Sequence, residues 1–349
     1  MHDTLRIRRP DDMHLHLRDG AMMAAVLPDT ARTMGRAVVM PNLKPPVVTA
    51  QQAKAYGERI RAQLQQGSGF QPLITAYLTD RTDADDLEAG HAAGHIAAVK
   101  LYPAGATTNS DSGVTDLPAL DPVVARMAAI GLPLLVHGEV TQDHVDIFDR
   151  ESRFLDEVLA PLLQRHPTLR VVFEHATTRE AVQFVRDHPG MGCTITPQHL
   201  LVNRNHLLVG GIKPHLYCLP VLKRRVHQEA LLEAATSGDP AFFAGTDSAP
   251  HAKGAKESAC GCAGCYSAGA AIELYAEAFD RAGALDRLEA FTSVHGAQWY
   301  GLPLNADHLT LVREPWTVPD RLAVDGPARE VVPLWAGQTL QFRVRPTLG

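Results

Sequence analysis

The chain has 349 residues, 45% hydrophobic and 21% charged, with a formal net charge of −6, a globular composition that length alone allows to be one large domain or two smaller ones. No basic run exceeds Lys223-Arg224-Arg225 and no apolar run reaches the roughly 18 residues of a membrane span, which argues against nucleic-acid binding and membrane insertion. Five cysteines, an odd number with three crowded into 260–265, do not make a disulfide framework, and the polar first dozen residues carry no secretory signal, so a reducing, cytoplasmic location is expected.

Eight apolar, strand-like runs follow in chain order: "MHLHLR" (13–18), "RAVVMPN" (36–42), "PLITAYLT" (72–79), "IAAVKLYP" (96–103), "PLLVHGE" (133–139), "RVVFEHAT" (170–177), "CTITPQH" (193–199) and "AFFAGTDSAPH" (241–251). Most are continuously apolar, as parallel strands buried on both faces should be. Helical segments lie between many of them. Ala53, Tyr56, Ile60 and Leu64 repeat at three and four residues, one apolar stripe. "DPVVARMAAIG" starts with Asp121 as an expected N-cap, Pro122 at the first helical position and Gly131 just past the end.

Eight strand–helix repeats predict an α/β fold closed into a (β/α)8 barrel. The longer gap before the eighth run, with "VGGIKPHLYCLPVLKRR", is expected to be a loop over the active face, and a second loop carries "CGCAGC" at 260–265. Two further helices are expected over "AAIELYAEAFDRAG" and "RLEAFTSVHGAQWYG". The tail from about Asp307 reads as short strands packed outside the barrel. No domain linker is evident, so residues 1–349 are expected to be a single domain, with 305–349 as a C-terminal extension.

Seven of these runs end in, or run straight into, a residue capable of chemistry: His14 and His16, Asn42, Lys100, His137, His175, His199 and Asp247. The third offers only Thr79 and Asp80. In a (β/α)8 barrel the C-terminal strand ends meet on one face, where active sites lie. His14 and His16, one residue apart on a strand, share a face and can aim at one point. Such a pair can bind a metal or be ordinary polar residues, and a lone His137, His175 or Asp247 can be a satisfied strand-end group or turn cap. Matching histidines on successive strands beside the H-x-H pair favour a metal constellation.

Lys100 is the most informative of these residues, because a buried ammonium is costly and needs a partner. A salt bridge is one solution. The other is chemical: burial lowers the lysine pKa, and a neutral amine can take up CO2 to become a carbamate able to bridge two cations. Two Zn2+ against that carbamate, Asp247 and a hydroxide would leave one net positive charge, suited to an anionic substrate.

These residues resemble the amidohydrolase superfamily, whose H-x-H signature is "MHLHLRDG". Together with "MPN", "KLYPAGATTNS", "VHGE", "FEHATT", "TPQHL", "GTDSAPH", Lys256 and "CGCAGC", they are similar to the dihydroorotases of the shorter, stand-alone bacterial type, over about residues 4–300. The resemblance implies a zinc-dependent enzyme that reversibly hydrolyses (S)-dihydroorotate to N-carbamoyl-L-aspartate in pyrimidine biosynthesis. It implies two Zn2+ per chain, one on His14, His16 and Asp247 and one on His137 and His175, bridged by Lys100 as N6-carboxylysine and by a hydroxide. Asp247 would also be the catalytic acid–base. Arg18, Asn42 and His251 would bind the substrate carboxylate, backbone groups of Leu219 and Ala263 the ring amides, and Thr107 and Thr108 would reach the substrate from a mobile flap over "GATTNS".

A homodimer is implied as well, with a small-molecule substrate and no nucleic-acid or membrane partner. A hydantoinase or allantoinase would share the metal ligands but not the carboxylate-reading trio. A non-catalytic relative would lack ligands that are all present here. "CGCAGC" approaches zinc-site spacing, yet with no fourth ligand nearby it is expected to be a metal-free loop shaping the pocket. Cys193 and Cys218 are expected to be buried packing, and His199 a hydrogen-bonding residue rather than a ligand.

Overall fold

The computed structural model describes residues 4–345. A first strand, β1 (Thr4–Arg8), lies apart. The eight apolar runs then form eight strands in sequence order: β2 (Asp11–Leu15), β3 (Arg36–Val39), β4 (Gln71–Tyr77), β5 (Ala98–Leu101), β6 (Leu134–Val136), β7 (Val171–Phe173), β8 (Gly192–Ile195) and β9 (Phe242–Ala244). Each pairs in parallel with the next. Leu15 bridges Ser248 in parallel, Asp247 N donates to the His14 carbonyl at 2.9 Å, and His16 N donates to that of Ser248 at 3.1 Å. These contacts close the sheet into the expected (β/α)8 barrel. Asp12 reinforces the seam, accepting from Thr246 N at 2.8 Å and Thr246 Oγ1 at 2.6 Å.

The strands are shorter than their apolar runs. The strands themselves end at Leu15, Val136 and Ala244, so His16, His137 and Asp247 stand just beyond them. The barrel interior explains what put them there. Met13, Val38, Met40, Ala98, Leu135, Val172 and Phe243 form an inner apolar cluster, plugged by Trp299 and Tyr300. Side chains two residues apart share a strand face. One such step above Ala98, Leu135 and Val172 are Lys100, His137 and Glu174; two steps above Val38 and Phe243 are Asn42 and Asp247. The same inward face that makes the core thus supplies the chemistry at its upper rim. Gly245 lies between: a Cβ there would sit 2.7 Å from Thr194 Cβ and 3.0 Å from His14 Cβ, so no side chain fits beneath the site.

Two local expectations need correction. Asp121 is not a cap: a 3-10 turn (Pro118–Leu120) leads directly into the helix Asp121–Ile130 with no side-chain cap. Its carboxylate instead accepts from Arg165 Nε at 3.0 Å and from His166 Nε2 at 3.0 Å. Leu64 ends the stripe one residue past the helix Ala50–Gln63, which Thr49 and Gln52 start with a reciprocal capping box.

The tail forms β10 (His308–Thr317), β11 (Leu322–Val324), β12 (Arg329–Val331) and β13 (Thr339–Arg345). The expected outer strands are there; the surprise is that β1 joins them, in an antiparallel sheet ordered β1-β10-β13, beside a β11-β12 pair. The helix Ala271–Arg281 fastens this sheet: Glu273 accepts from Val344 N at 3.2 Å and Glu277 from Gln341 N at 3.1 Å. Both carboxylates satisfy donors on an otherwise open strand edge.

Candidate metal centre and substrate cavity

Three site residues, Arg18, His175 and Asp247, have positive φ, at 62°, 42° and 45°. Side chains other than glycine seldom adopt this conformation, and such strain collects at functional sites. At His175 it breaks the two-residue alternation of β7, so that His175 lines the cavity while the preceding Glu174 reaches His14.

His14, His16 and Asp247 gather with one ligand atom each within 4.8 Å of one another. His14 Nε2 is 3.3 Å from His16 Nε2, and Asp247 Oδ1 is 3.3 Å and 3.0 Å from these two atoms. The opposite ring nitrogens fix the tautomers. His14 Nδ1 donates to the buried Glu174 carboxylate. His16 Nδ1 donates to Asn42 Oδ1 at 2.8 Å, and the amide orientation is set because Asn42 Nδ2 donates to the Thr108 carbonyl at 3.2 Å. With both Nδ1 protonated, each Nε2 presents a lone pair. Two lone pairs and a carboxylate oxygen therefore converge in a buried place, an arrangement that calls for a cation.

Two carboxylates draw positive charge to this place: burial pushes His14 down, but Glu174 and Asp247 outweigh it and raise its pKa, a charge that a bound cation would supply in place of the proton. Burial pushes Asp247 up, yet His14 and His16 hold it well below the usual carboxylate range. Burial, with help from Arg18, lowers His16 to about 4.

Beside this trio, His175 packs its ring 5.0 Å from His14 and 4.8 Å from His137, centroid to centroid. His137 Nε2 donates to Glu139 at 2.7 Å, leaving Nδ1 as its lone-pair atom. The buried polar atoms here without a hydrogen-bond partner include His175 Nδ1 and Lys100 Nζ. Orphaned groups are expensive, and an orphaned imidazole nitrogen and amine beside three other ligand atoms fit a second metal. Lys100 is fully buried, and burial lowers it to about 8 against the pull of Glu174 and Asp247. A neutral amine, the form a carbamate needs, is therefore accessible near neutral pH.

The substrate side is equally compact. His14, His16, Arg18, Asn42, Thr107, Thr108, His137, His175, Leu219, Asp247 and Ala263 line one cavity. Lys100 and His251 adjoin lining residues: Lys100 Nζ is 5.1 Å from the centroid of the Tyr102 ring, and His251 bonds Arg18 and the Ala263 carbonyl. The Arg18 guanidinium contacts the Pro250 carbonyl at 3.2 Å, His16 Nδ1 at 3.4 Å and His251 Nε2 at 3.0 Å. Among the described residues it thus touches no carboxylate. Burial, Arg18 and Lys256 depress His251 to about 2, so its ring is neutral, and Nε2–H donates to the Ala263 carbonyl at 2.9 Å. Arg18 then faces a donor rather than an acceptor, which leaves it suited to an incoming anion.

A family model of the amidohydrolase family matches residues 12–332. A dihydroorotase from Cupriavidus pinatubonensis is 61% identical over 346 residues, covering 99% of this chain and 100% of that one. The chain belongs to the amidohydrolase family, among the dihydroorotases. Among solved structures, a dihydroorotase from Saccharomyces cerevisiae in complex with 5-fluoroorotic acid superposes with a TM-score of 0.92 at 30% identity, covering 99% of both chains. The dihydroorotase from Campylobacter jejuni gives 0.90 at 36% identity, over 99% of this chain and 98% of that one. The hydantoinase and non-catalytic alternatives give way to this match, and the chain is a cyclic amidohydrolase. Metal dependence follows from the family, and the His-His-Asp group is in place for it. Among the described residues no helix is long and apolar enough to cross a membrane.

The structure brings further residues to the site of this dihydroorotase. Glu174 and Glu139 hold the outer nitrogens of His14 and His137, and Tyr102, Ala249 and Gly264 line the cavity. Glu174 was detectable by the two-residue step from Val172. The remaining expectations fall as follows. His199 bonds Thr196 Oγ1 at 2.7 Å and the Pro220 carbonyl at 3.1 Å. Cys193 and Cys218 are buried free thiols, and Cys260 is exposed. The segment expected to be a flap lies against the cavity: Thr108 Oγ1 donates to the Ala263 carbonyl at 3.4 Å and Asn109 Nδ2 to that of Asn42 at 3.2 Å.

Proposed function

We propose that this dihydroorotase interconverts (S)-dihydroorotate and N-carbamoyl-L-aspartate at a pair of zinc ions. His14, His16 and Asp247 would hold one ion and His137 and His175 the other, with Lys100, carboxylated on Nζ, as a ligand shared by both. The bound metal supplies Lewis acidity at the amide carbonyl and lowers the pKa of water at the site. Everything else falls to the side chains. Arg18 pairs with the ring carboxylate, helped by Asn42 and His251, and so fixes which ring carbonyl faces the metal ligands. The carbonyl and amide groups of Leu219 and Ala263 read the ring's own amides, and Thr107 and Thr108 cover it against bulk water.

Asp247 accepts the proton that attacking water gives up as its oxygen bonds to the ring carbonyl carbon. It returns that proton to the ring nitrogen as the carbon–nitrogen bond breaks. In reverse, ring closure of N-carbamoyl-L-aspartate consumes a proton overall, so lower pH favours the ring. The reading includes a cytoplasmic homodimer, on the family resemblance, and one continuous unit for the barrel and its C-terminal extension.

The observation that carries this proposal is the pairing of two features. Lone pairs of His14, His16 and Asp247 converge beside the orphaned His175 Nδ1 and Lys100 Nζ, and a guanidinium without a carboxylate stands over them. The test is metal analysis of the purified protein together with turnover of dihydroorotate against hydantoin. Two zinc ions per chain and a strong preference for dihydroorotate are expected. Full turnover with one metal or none, or a preference for hydantoin, overturns it.

A further inference from the structure

Lys256 ends the short helical turn Lys253–Lys256, does not line the cavity, and is only 3% exposed. Its Nζ donates to three backbone carbonyls, those of Tyr217 at 2.7 Å, Cys262 at 2.7 Å and Gly264 at 2.8 Å. An ammonium has three N–H groups, so all are committed, and no described carboxylate shares them. Burying a charge this way is costly, and the carbonyl dipoles that offset it come from two separate loops. Tyr217 belongs to the segment before Leu219; Cys262 and Gly264 flank Ala263. The loops are also joined directly, since Gly264 N donates to the same Tyr217 carbonyl at 3.0 Å.

This clamp has a geometric consequence. The carbonyls of residues 262 and 264 both turn toward Nζ. The Ala263 carbonyl between them turns instead toward Thr108 of the cavity lining. There it accepts from His251 Nε2 at 2.9 Å and from the flap hydroxyl of Thr108 at 3.4 Å. The segment has little room to relax. Gly264 has φ +146°, and a Cβ on it would lie 2.7 Å from Ala249 Cβ and 2.9 Å from the Ala249 carbonyl oxygen.

We propose that Lys256 is a positioning residue whose ammonium aims the Ala263 carbonyl into the cavity, making it both the seat of the flap and the acceptor for a ring N–H of the substrate. Thr108 and the ring N–H compete for one lone pair of that oxygen, so substrate entry releases the flap hydroxyl. The substrate half rests on the function proposed above; the flap half stands on the observed hydrogen bonds alone.

The test is Lys256→Met in the full-length, metal-loaded enzyme. The readouts are KM and kcat for dihydroorotate, metal content, and hydrogen exchange of the flap amides at residues 106–109. The expected result is KM raised at least tenfold, with kcat and metal content within about threefold of wild type. Flap amides should exchange at least fivefold faster, and n-propylammonium should restore KM to Lys256→Ala. Unchanged KM and unchanged flap exchange overturn the proposal. So does a parallel fall of kcat, metal content and KM-based affinity without amine rescue, which marks a merely structural lysine. If Lys256→Met does not fold, Lys256→Gln, which keeps two donors, carries the same readouts. A wild-type enzyme inactive on dihydroorotate overturns the functional reading instead, and flap exchange still decides the clamp.

Discussion

Asn42 bonds His16 with one end of its amide and the flap with the other. Oδ1 accepts from His16 Nδ1 at 2.8 Å, and Nδ2 donates to the Thr108 carbonyl at 3.2 Å. A side chain expected only to read a substrate carboxylate therefore also sets the tautomer of His16, a proposed metal ligand. Removing it frees His16 to rotate and to protonate on either nitrogen.

Asn42→Ala is accordingly expected to lower zinc affinity by about 10–100-fold, the usual cost of losing the outer partner of a metal-bound histidine. Competition with a chelator measures it. An unchanged affinity would show that the Arg18 contact, at 3.4 Å from His16 Nδ1, holds the ring by itself.

Asp247→Asn keeps the shape but removes the charge and the proton acceptor. The carboxylate sits among His14, His16 and His175, which hold it well below its usual pKa despite burial. Loss of a positioned acid–base alone costs about 10²–10⁴ in rate. We expect kcat to fall by at least that lower figure, with an unchanged circular dichroism spectrum. A variant that keeps more than a tenth of wild-type kcat would move the proton transfer to another group.

Arg18→Ala tests the carboxylate reading. The guanidinium has carbonyl and imidazole neighbours but no acid, and a charge-assisted hydrogen bond contributes about 1.5–3 kcal/mol. That corresponds to a rise in KM for dihydroorotate of roughly 10–150-fold. Metal content should stay level, since Arg18 is not a ligand. Zinc loss in step with KM would place Arg18 in support of His16 instead.

Much of this architecture was legible in the residues, for a physical reason. Parallel strands buried on both faces leave continuous apolar runs, and a polar residue closing such a run has few destinations besides the barrel rim; His14, Lys100, His137, His175 and Asp247 were found that way. The unread parts depend on long-range pairing. Nothing local in "TLRIR" says that β1 pairs with β10 some three hundred residues later, because an edge strand alternates in the same way whatever its partner. Asp121 carries every local mark of a cap, yet Arg165 and His166, brought close by the barrel, claim its carboxylate. Glu174 is hidden by its neighbour: the positive φ of His175 breaks the alternation, so that His175 lines the cavity while Glu174 reaches His14 beside it.

His199 offers a test of stability rather than catalysis. Its ring is fully buried and satisfied as the neutral form: Nδ1 accepts from Thr196 Oγ1 at 2.7 Å and Nε2 donates to the Pro220 carbonyl at 3.1 Å. Burial, opposed by the Pro220 carbonyl and aided by Lys223, lowers its pKa from 6.5 to about 4. The depressed pKa means that below pH 6.5 the unfolded chain binds a proton the native ring refuses. The stability it contributes is therefore present above that pH and is lost as pH falls toward 4. Between pH 7 and pH 5 the loss amounts to roughly 2 kcal/mol, at 1.36 kcal/mol per pKa unit. His199→Gln keeps a donor and an acceptor but cannot titrate. In urea unfolding of the metal-loaded protein, its stability should therefore fall between those pH values by about 2 kcal/mol less than that of wild type. Other depressed histidines, such as His251 at about 2, leave a slope of the same sign in both proteins, so the difference between the two slopes isolates His199. Identical slopes would mean that the native ring takes up its proton near pH 6.5 and that its buried hydrogen bonds do not hold it neutral.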